Sequence, residues 1–271
     1  MASYSAPLRD MRFVYHELFD SSDISALPGF EEATPDLIDT VLKRRLKSVK
    51  TNFSRLIAVV MRKAVATTGE ERSQHPAVCA SATVPTPKRA GLDYPMTHNT
   101  GAQRALSRCI STLLEEMVCS SNISFGTYVG LTRGAYRAIA AFGSDTLKTR
   151  YLPKLTSGEW SGTMCLTEPQ CGTDLGLFRT RAEPNADGSY RVTGKKIFIT
   201  AGEHDLTENI IHLVLARLPD APTGVRGISL FLVPKFLPNP DGDPGDRNGV
   251  LCTALENKMG IKASANPCHK L

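Results

Sequence analysis

No run of eighteen apolar residues occurs in this 271-residue chain, which argues against a helical membrane span. Its first fifteen residues also lack the apolar stretch of a secretory signal and place Asp10 among Arg9 and Arg12, so export by that route is not expected. There is no Cys-x-x-Cys pair among the seven cysteines, at positions 79, 109, 119, 165, 171, 252 and 268. An odd count in a chain without an export signal implies reduced, mostly buried thiols, not disulfides, and argues against structural zinc. Ser161, in Gly158-Glu159-Trp160-Ser161-Gly162, lacks the Gly-x-Ser-x-Gly order, which leaves a hydrolase reading without its nucleophile elbow.

What is present is the material of a soluble globular protein. Apolar residues make up 41% of the chain, and the length allows one large or two ordinary domains with a sizeable core. His204, Glu208 and His212 stand at i, i+4 and i+8 and would stack three ligands on one face of a helix. The apolar run from Ile210 to Ala216 has strand character, however, and puts His204 and Glu208 in the loop before it, so no metal site is expected.

Charge is unevenly spread. Residues 43–108 hold thirteen Lys or Arg against three Asp or Glu, whereas the whole chain carries only +5, so the remainder is acidic. Within that segment, residues 73–99 are rich in Pro, Ala, Thr and Ser with no sustained period, the composition of a stretch that cannot offset its ordering entropy by burial. A basic arm that neutralises nucleic-acid phosphates is one reading, although only Phe53 and Tyr94 interleave aromatics and no recognition motif is present.

The hydrophobic period divides the rest. Ile110, Leu113, Leu114, Met117 and Val118 keep a helical stripe, and Tyr136, Ile139, Ala140 and Phe142 continue an apolar face until Gly143 ends it. Ser144 is positioned to cap a short helix to about Tyr151, closed by Pro153. From Thr163 the period becomes two. Segments 180–183 and 190–193 flank Asn185-Ala186-Asp187-Gly188, a hairpin signal. Further strands are expected at 196–200, 211–217, 228–233 and 250–255, with residues 235–249 a solvated loop.

Two segments carry the chemistry. The first, Met164-Cys165-Leu166-Thr167-Glu168-Pro169-Gln170-Cys171-Gly172-Thr173-Asp174, reads as a strand entering a rigid loop, with Pro169 fixing φ and Gly172 freeing it. The second is Gly194-Lys195-Lys196-Ile197-Phe198-Ile199-Thr200. Together they resemble the flavin-contacting signatures of the acyl-CoA dehydrogenase family, Cys-Val-Thr-Glu-Pro-x-Ala-Gly-Ser-Asp and Lys-x-Trp-Ile-Thr, in the same order. The likeness extends through Gly227–Pro234 and Lys258-Met259-Gly260-Ile261, and residues 6–13 are similar to the larger bacterial-type members. It covers residues 1–42 and 109–265.

That resemblance implies an α+β fold, an amino-terminal helical domain followed by an antiparallel β domain, with the family's carboxy-terminal helical domain missing. The expected division is a helical segment at 1–42, an anomalous segment at 43–108, a helical domain at 109–160 and a β domain at 161–271. Between Leu37–Leu42 and Leu113–Met117 the family has acidic helices and a Gly-rich loop, so 43–108 is expected to be translated out of frame. The tail, residues 266–271, also leaves the pattern.

The implied activity is FAD-dependent oxidation of an acyl-CoA thioester to the 2-enoyl-CoA, a proton leaving Cα and a hydride passing from Cβ to flavin N5. The resemblance places backbone groups of Met164 and Leu166 and the Thr167 hydroxyl along the flavin, Phe198 and Ile199 against the ring system, and Thr200 at N5. Thr173 is expected at the FAD pyrophosphate or the CoA-side ligand, and Phe198 stands where the family has Trp. No catalytic residue is assigned. Glu168 belongs to the loop framework, and the family's base comes from the helical domain after the β domain, so an incomplete and inactive copy is expected. Implied partners are an acyl-CoA substrate, an electron-transfer flavoprotein and, for the family, further copies of the chain. The expected location is the cytoplasm, with the mitochondrial matrix as the alternative.

Overall fold

The structure is a computed structural model that describes residues 4–28, 30–49, 108–261 and 264–271, with two short paired strands, β1 (Thr67–Thr68) and β2 (Ala77–Val78). Most of the basic segment lies outside the described residues, and with it the expectations of disorder, frame change and nucleic-acid contact.

The helical part begins with α1 (Leu8–Arg12), which passes into a π-helical turn at Phe13–Leu18, and continues through α2 (Ser22–Ser25) and α3 (Pro35–Ser48). Thr34 caps α3 by accepting the Leu37 N–H at 3.4 Å, with Pro35 at the first helical position. The helix runs unbroken through residue 43, the expected domain junction, and Arg45 beyond it is buried. Helices α4 (Arg108–Ser121) and α5 (Ile123–Phe142) are separated by Asn122, whose side chain accepts the Phe125 N–H at 3.1 Å.

The anticipated stripe is core: Ile110, Leu114, Met117 and Val118 pack with Met11, Tyr15, Ile38 and Leu42. Phe142 does not follow it. It is 90% exposed at the last turn of α5, where the helix overruns its apolar partner. Helix α6 (Asp145–Ser157) starts at Ser144 as expected, but Pro153 lies inside it. Burial of Tyr151, Leu152 and Leu155 outweighs the hydrogen bond that proline cannot donate, and Gly158, at φ 72°, ends the helix one turn later.

The β part is a mixed sheet, not the antiparallel one expected. Strand β7 (Asn209–Arg217) lies parallel to β3 (Trp160–Cys165), antiparallel to β8 (Ile228–Pro234), and parallel to β4 (Arg181–Pro184) at Arg217. Parallel pairing requires a crossover, and residues 166–208 supply one. That crossover includes the β4–β5 hairpin, with β5 at Tyr190–Thr193 and Gly188 at φ 82°. Helices α5 and α6 cover β3 and β7 through Ala135, Tyr136, Ile139, Leu152, Leu155, Trp160 and Ile211. Gly162 allows that approach, since a Cβ there would lie 2.4 Å from Ala135 Cβ.

A second, three-stranded sheet runs β11 (Leu251–Leu255), β12 (Pro267–Lys270), β6 (Lys195–Lys196). The tail that departs from the motif pattern thus supplies the central strand. Residues 235–249 are not a solvated loop: β9 (Phe236–Pro238) pairs with β10 (Pro244–Arg247), and Lys235 is buried. No helix among the described residues is long and apolar enough to cross a membrane.

Candidate functional site

Glu168 organises the first signature. Its buried carboxylate accepts from the Thr180 hydroxyl at 2.5 Å, the Thr180 N–H at 3.0 Å, the Arg179 N–H at 2.9 Å, Gln170 Nε2 at 2.5 Å and Lys196 Nζ at 3.0 Å. Burial by itself would raise the Glu168 pKa, but these donors outweigh it and hold the carboxyl below its ordinary 4.5. Such a group is an anchor, because a base needs a free lone pair at its target. Glu168 and Cys171 exchange backbone hydrogen bonds at 2.8 and 3.1 Å, which closes the loop around Pro169.

The same lysine binds the two signatures together. Lys196, fully buried, also donates to the Leu166 carbonyl at 3.1 Å, and its Nζ sits 3.7 Å from the Phe178 ring centroid. One residue on, the Ile197 N–H donates to the Thr167 carbonyl at 2.9 Å.

The expected strand over 196–200 stops after Lys196. Phe198 and Ala201 both take the left-handed conformation at φ 57°, a strained choice for residues with a Cβ. Between these two reversals the chain turns inside out: Phe198 is 42% exposed, whereas Ile199 packs with Cys165, Val214, Val233 and Val250. The Ile199 N–H goes to Pro267 O at 3.0 Å and its carbonyl to the Gly202 N–H at 3.0 Å, so both its side chain and its backbone are committed inside the protein. Thr200, half-buried, donates its hydroxyl to Asn266 Oδ1 at 2.8 Å, and Asn266 Nδ2 bonds Ser264 O at 2.9 Å, which sets the amide's orientation.

Of the other residues singled out, Met164 is 37% exposed where its neighbours on β3 are buried. Leu166 and Thr167 are half-buried, and Thr173 is exposed beside Asp174, which caps the following turn by accepting the Gly176 N–H at 2.9 Å. The large apolar side chains that the two signatures leave exposed are Met164 and Phe198, whereas Thr167 and Thr200 are half-buried. Lys258 Nζ lies 4.7 Å from the Phe198 ring centroid. An apolar shelf beside hydroxyls and main-chain groups is what a flat, polar-edged ring system requires.

A separate cavity of about 20 Å³, room for a single water, lies between α5 and β3 and shares no residue with the signatures. Ser161 and His204 line it, with Ser161 Oγ 3.2 Å from His204 Nε2. His204 Nδ1 accepts the Leu206 N–H, so the ring's proton is on Nε2 and points at the serine, the wrong tautomer for activating it. Burial moves His204 down to about 3. Glu208 and His212 do not join His204 in a metal-binding face, for Glu208 is an exposed turn residue and His212 lies on β7.

Two neighbours of these residues carry no assigned role in the sequence: Asn266 lies in the tail that leaves the pattern, and Lys196 stands inside the second signature, where a lysine in an otherwise buried β segment is the available signal.

Residues 163–269 match the family described as acyl-CoA dehydrogenase, middle domain, and residues 79–159 match acyl-CoA dehydrogenase, N-terminal domain. The 3-methylmercaptopropionyl-CoA dehydrogenase of Ruegeria pomeroyi is 51% identical over 173 residues, which are 64% of this chain and 29% of that protein. The chain thus spans less than a third of that relative's length. Among solved structures, Caenorhabditis elegans ACDH-11 in complex with C11-CoA superposes with a TM-score of 0.71 at 17% identity, covering 100% of this chain and 46% of that one. An acyl-CoA dehydrogenase from Bacillus anthracis complexed with FAD gives 0.53 at 27% identity, over 68% of this chain and 28% of that one. By its two matched domains, its fold and its stitched signature segments, the chain belongs to the acyl-CoA dehydrogenase family.

Proposed function

We propose that this chain supplies the flavin shelf of an FAD-dependent enzyme that oxidises an acyl-CoA thioester to the 2-enoyl-CoA. The observation that carries the reading is the Thr167–Ile197 backbone hydrogen bond of 2.9 Å, which joins the two signatures, each of which exposes one large apolar residue, Met164 or Phe198. FAD, when bound, supplies the hydride acceptor. The chain's residues supply position: Phe198 and Met164 present apolar surface to the ring, Thr167 its hydroxyl to the pyrimidine edge, and Leu166 its main chain. Thr200 sits at the N5 side; because its proton is given to Asn266, it offers that atom an acceptor oxygen, a polarity that suits the reduced, protonated form. Ile199 acts from beneath, as the core residue that fixes Phe198 and Thr200 on either side of it. Thr173, on the exposed loop, is assigned to the phosphate-bearing end of the cofactor or of CoA.

These 271 residues alone do not complete the reaction in this reading. The two buried glutamates of the β part, Glu168 and Glu203, are both committed to ion pairs, so neither can take the α-proton. Acyl-CoA, an electron-transfer flavoprotein and further copies of the chain are the partners proposed for the whole protein, in the cytoplasm. The out-of-frame reading of residues 43–108 is kept only for residues 43–78, because residues 79–108 fall within the matched N-terminal domain; resequencing of the locus tests it.

The test of the shelf is a flavin titration followed by visible absorbance. Added FAD is expected to bind weakly to the chain and to acquire a resolved, shifted flavin spectrum, with Phe198→Asp and Thr200→Val each weakening binding by about tenfold, the equivalent of roughly 1.4 kcal/mol. Identical titrations for all three proteins would refute the shelf. Dye reduction by acyl-CoA is expected to be absent, and turnover would refute the proposed incompleteness.

A further inference from the structure

On the inner side of β3, opposite Met164, three donors converge. Cys165, His212 and His269 present a sulfur and imidazole nitrogens that all lie within 4.8 Å of one another, and all three residues are buried. They come from β3, β7 and β12. Parallel pairing sets His212 beside Thr163, two residues from Cys165 and hence on the same face, with Cys165 Sγ 3.9 Å from His212 Nδ1. The Thr163 hydroxyl lies 2.8 Å from that nitrogen and orients the ring. His269 arrives from the second sheet, its ring centroid 4.9 Å from that of His212 at an interplanar angle of 87°.

His269 is the telling member. Both its ring nitrogens are buried; a backbone contact to Gly202 can serve one of them, and the other is left without a hydrogen-bond partner, an arrangement folded proteins avoid because the lost solvation is not replaced. Among the neighbouring charges, Lys196 is paired with Glu168, whereas Lys235 and Arg247 share the single carboxylate of Glu203, so the surroundings offer no spare negative charge to a metal. One thiolate is then the full anionic capacity of the trio. A divalent ion would leave a buried net charge, whereas a soft monovalent ion on one sulfur and two imidazoles would be neutral.

We propose that Cys165, His212 and His269 form an internal site for one thiophilic d10 metal ion, Cu(I) in preference to Zn(II). Binding replaces the Cys165 thiol proton with the metal, releasing one proton to solvent with no change of oxidation state, and gives His269 the partner it lacks. This site is independent of the flavin reading, since its residues lie on the opposite face of β3.

The test loads the full chain anaerobically with Cu(I) or Zn(II), removes unbound metal and measures stoichiometry. One copper per chain is expected, with zinc held about tenfold more weakly, and with affinity falling roughly ten- to hundredfold in Cys165→Ser and His269→Gln. Cys171→Ser, a buried cysteine outside the trio, is expected to bind as the parent does. X-ray absorption of the copper-loaded parent gives a reading that needs no variant, and one sulfur with two nitrogen neighbours is expected. No copper, a sulfur-only coordination shell, or full binding by Cys165→Ser would overturn the site; equal or tighter zinc binding would overturn the preference for Cu(I).

Discussion

Two buried glutamates hold two corners of the β part, and they do so by different means. Glu168 is met mostly by donors close to it in sequence, two backbone N–H groups and the Thr180 hydroxyl, with Lys196 the single cation. Glu203 is paired with two cations from the β9–β10 region, Lys235 and Arg247, the latter 3.0 Å away. Backbone donors exist only in one loop conformation, so the first carboxylate specifies the shape of its own loop. Side-chain cations reach from elsewhere, so the second specifies where a distant hairpin docks. The contrast separates a signature loop shaped by its own carboxylate from a β9–β10 hairpin fastened mainly at its base.

The hardest blow to this contrast is Glu168→Gln. It leaves Lys196 as an uncompensated buried charge, and the expected loss is about 3–5 kcal/mol in urea unfolding. A loss below about 1 kcal/mol would show that the loop holds its shape without the carboxylate. Glu203→Gln is expected to cost less, about 2–3 kcal/mol, because Arg247 is one-third exposed and can be rehydrated. A reversal of that order would mean that the docked hairpin, not the signature loop, depends more on its carboxylate.

Acid sharpens the same comparison. Glu168 has a folded pKa below its ordinary 4.5, so its stabilisation is complete above that value and is lost as pH falls through the folded pKa. The parent's urea midpoint is expected to drop on that acid limb, and Glu168→Gln to flatten it; parallel curves for parent and variant would contradict the assignment. The smallest effects are expected outside both corners. Asn122→Ala and Ser144→Ala remove the caps of α5 and α6, and each is expected to cost about 1 kcal/mol in the same assay without altering its acid limb.

What could be read in advance was what a few consecutive residues decide. Ser144 as a cap, Asn185–Gly188 as a hairpin turn and the Ile110–Val118 stripe appear where their local chemistry puts them. The failures share one cause. Pro153 looked like a helix end and residues 235–249 like a solvated loop because the burial that overrides those local preferences comes from other elements. Residues 196–200 looked like a strand because nothing in Lys-Ile-Phe-Ile-Thr announces two left-handed residues; those follow from backbone bonds to Ala265 and Pro267.

By itself, then, the sequence determined the helical and β halves, the turns and the two signature segments, because capping, φ preference and periodicity act over a single turn or hairpin. Tertiary structure alone decided that β3 and β7 run parallel, that Ile199 points inward while Phe198 points out, and that Cys165, His212 and His269 meet. Residues so far apart in the chain share no local geometry; strand pairing within one sheet and the approach of a strand from the other bring them within reach.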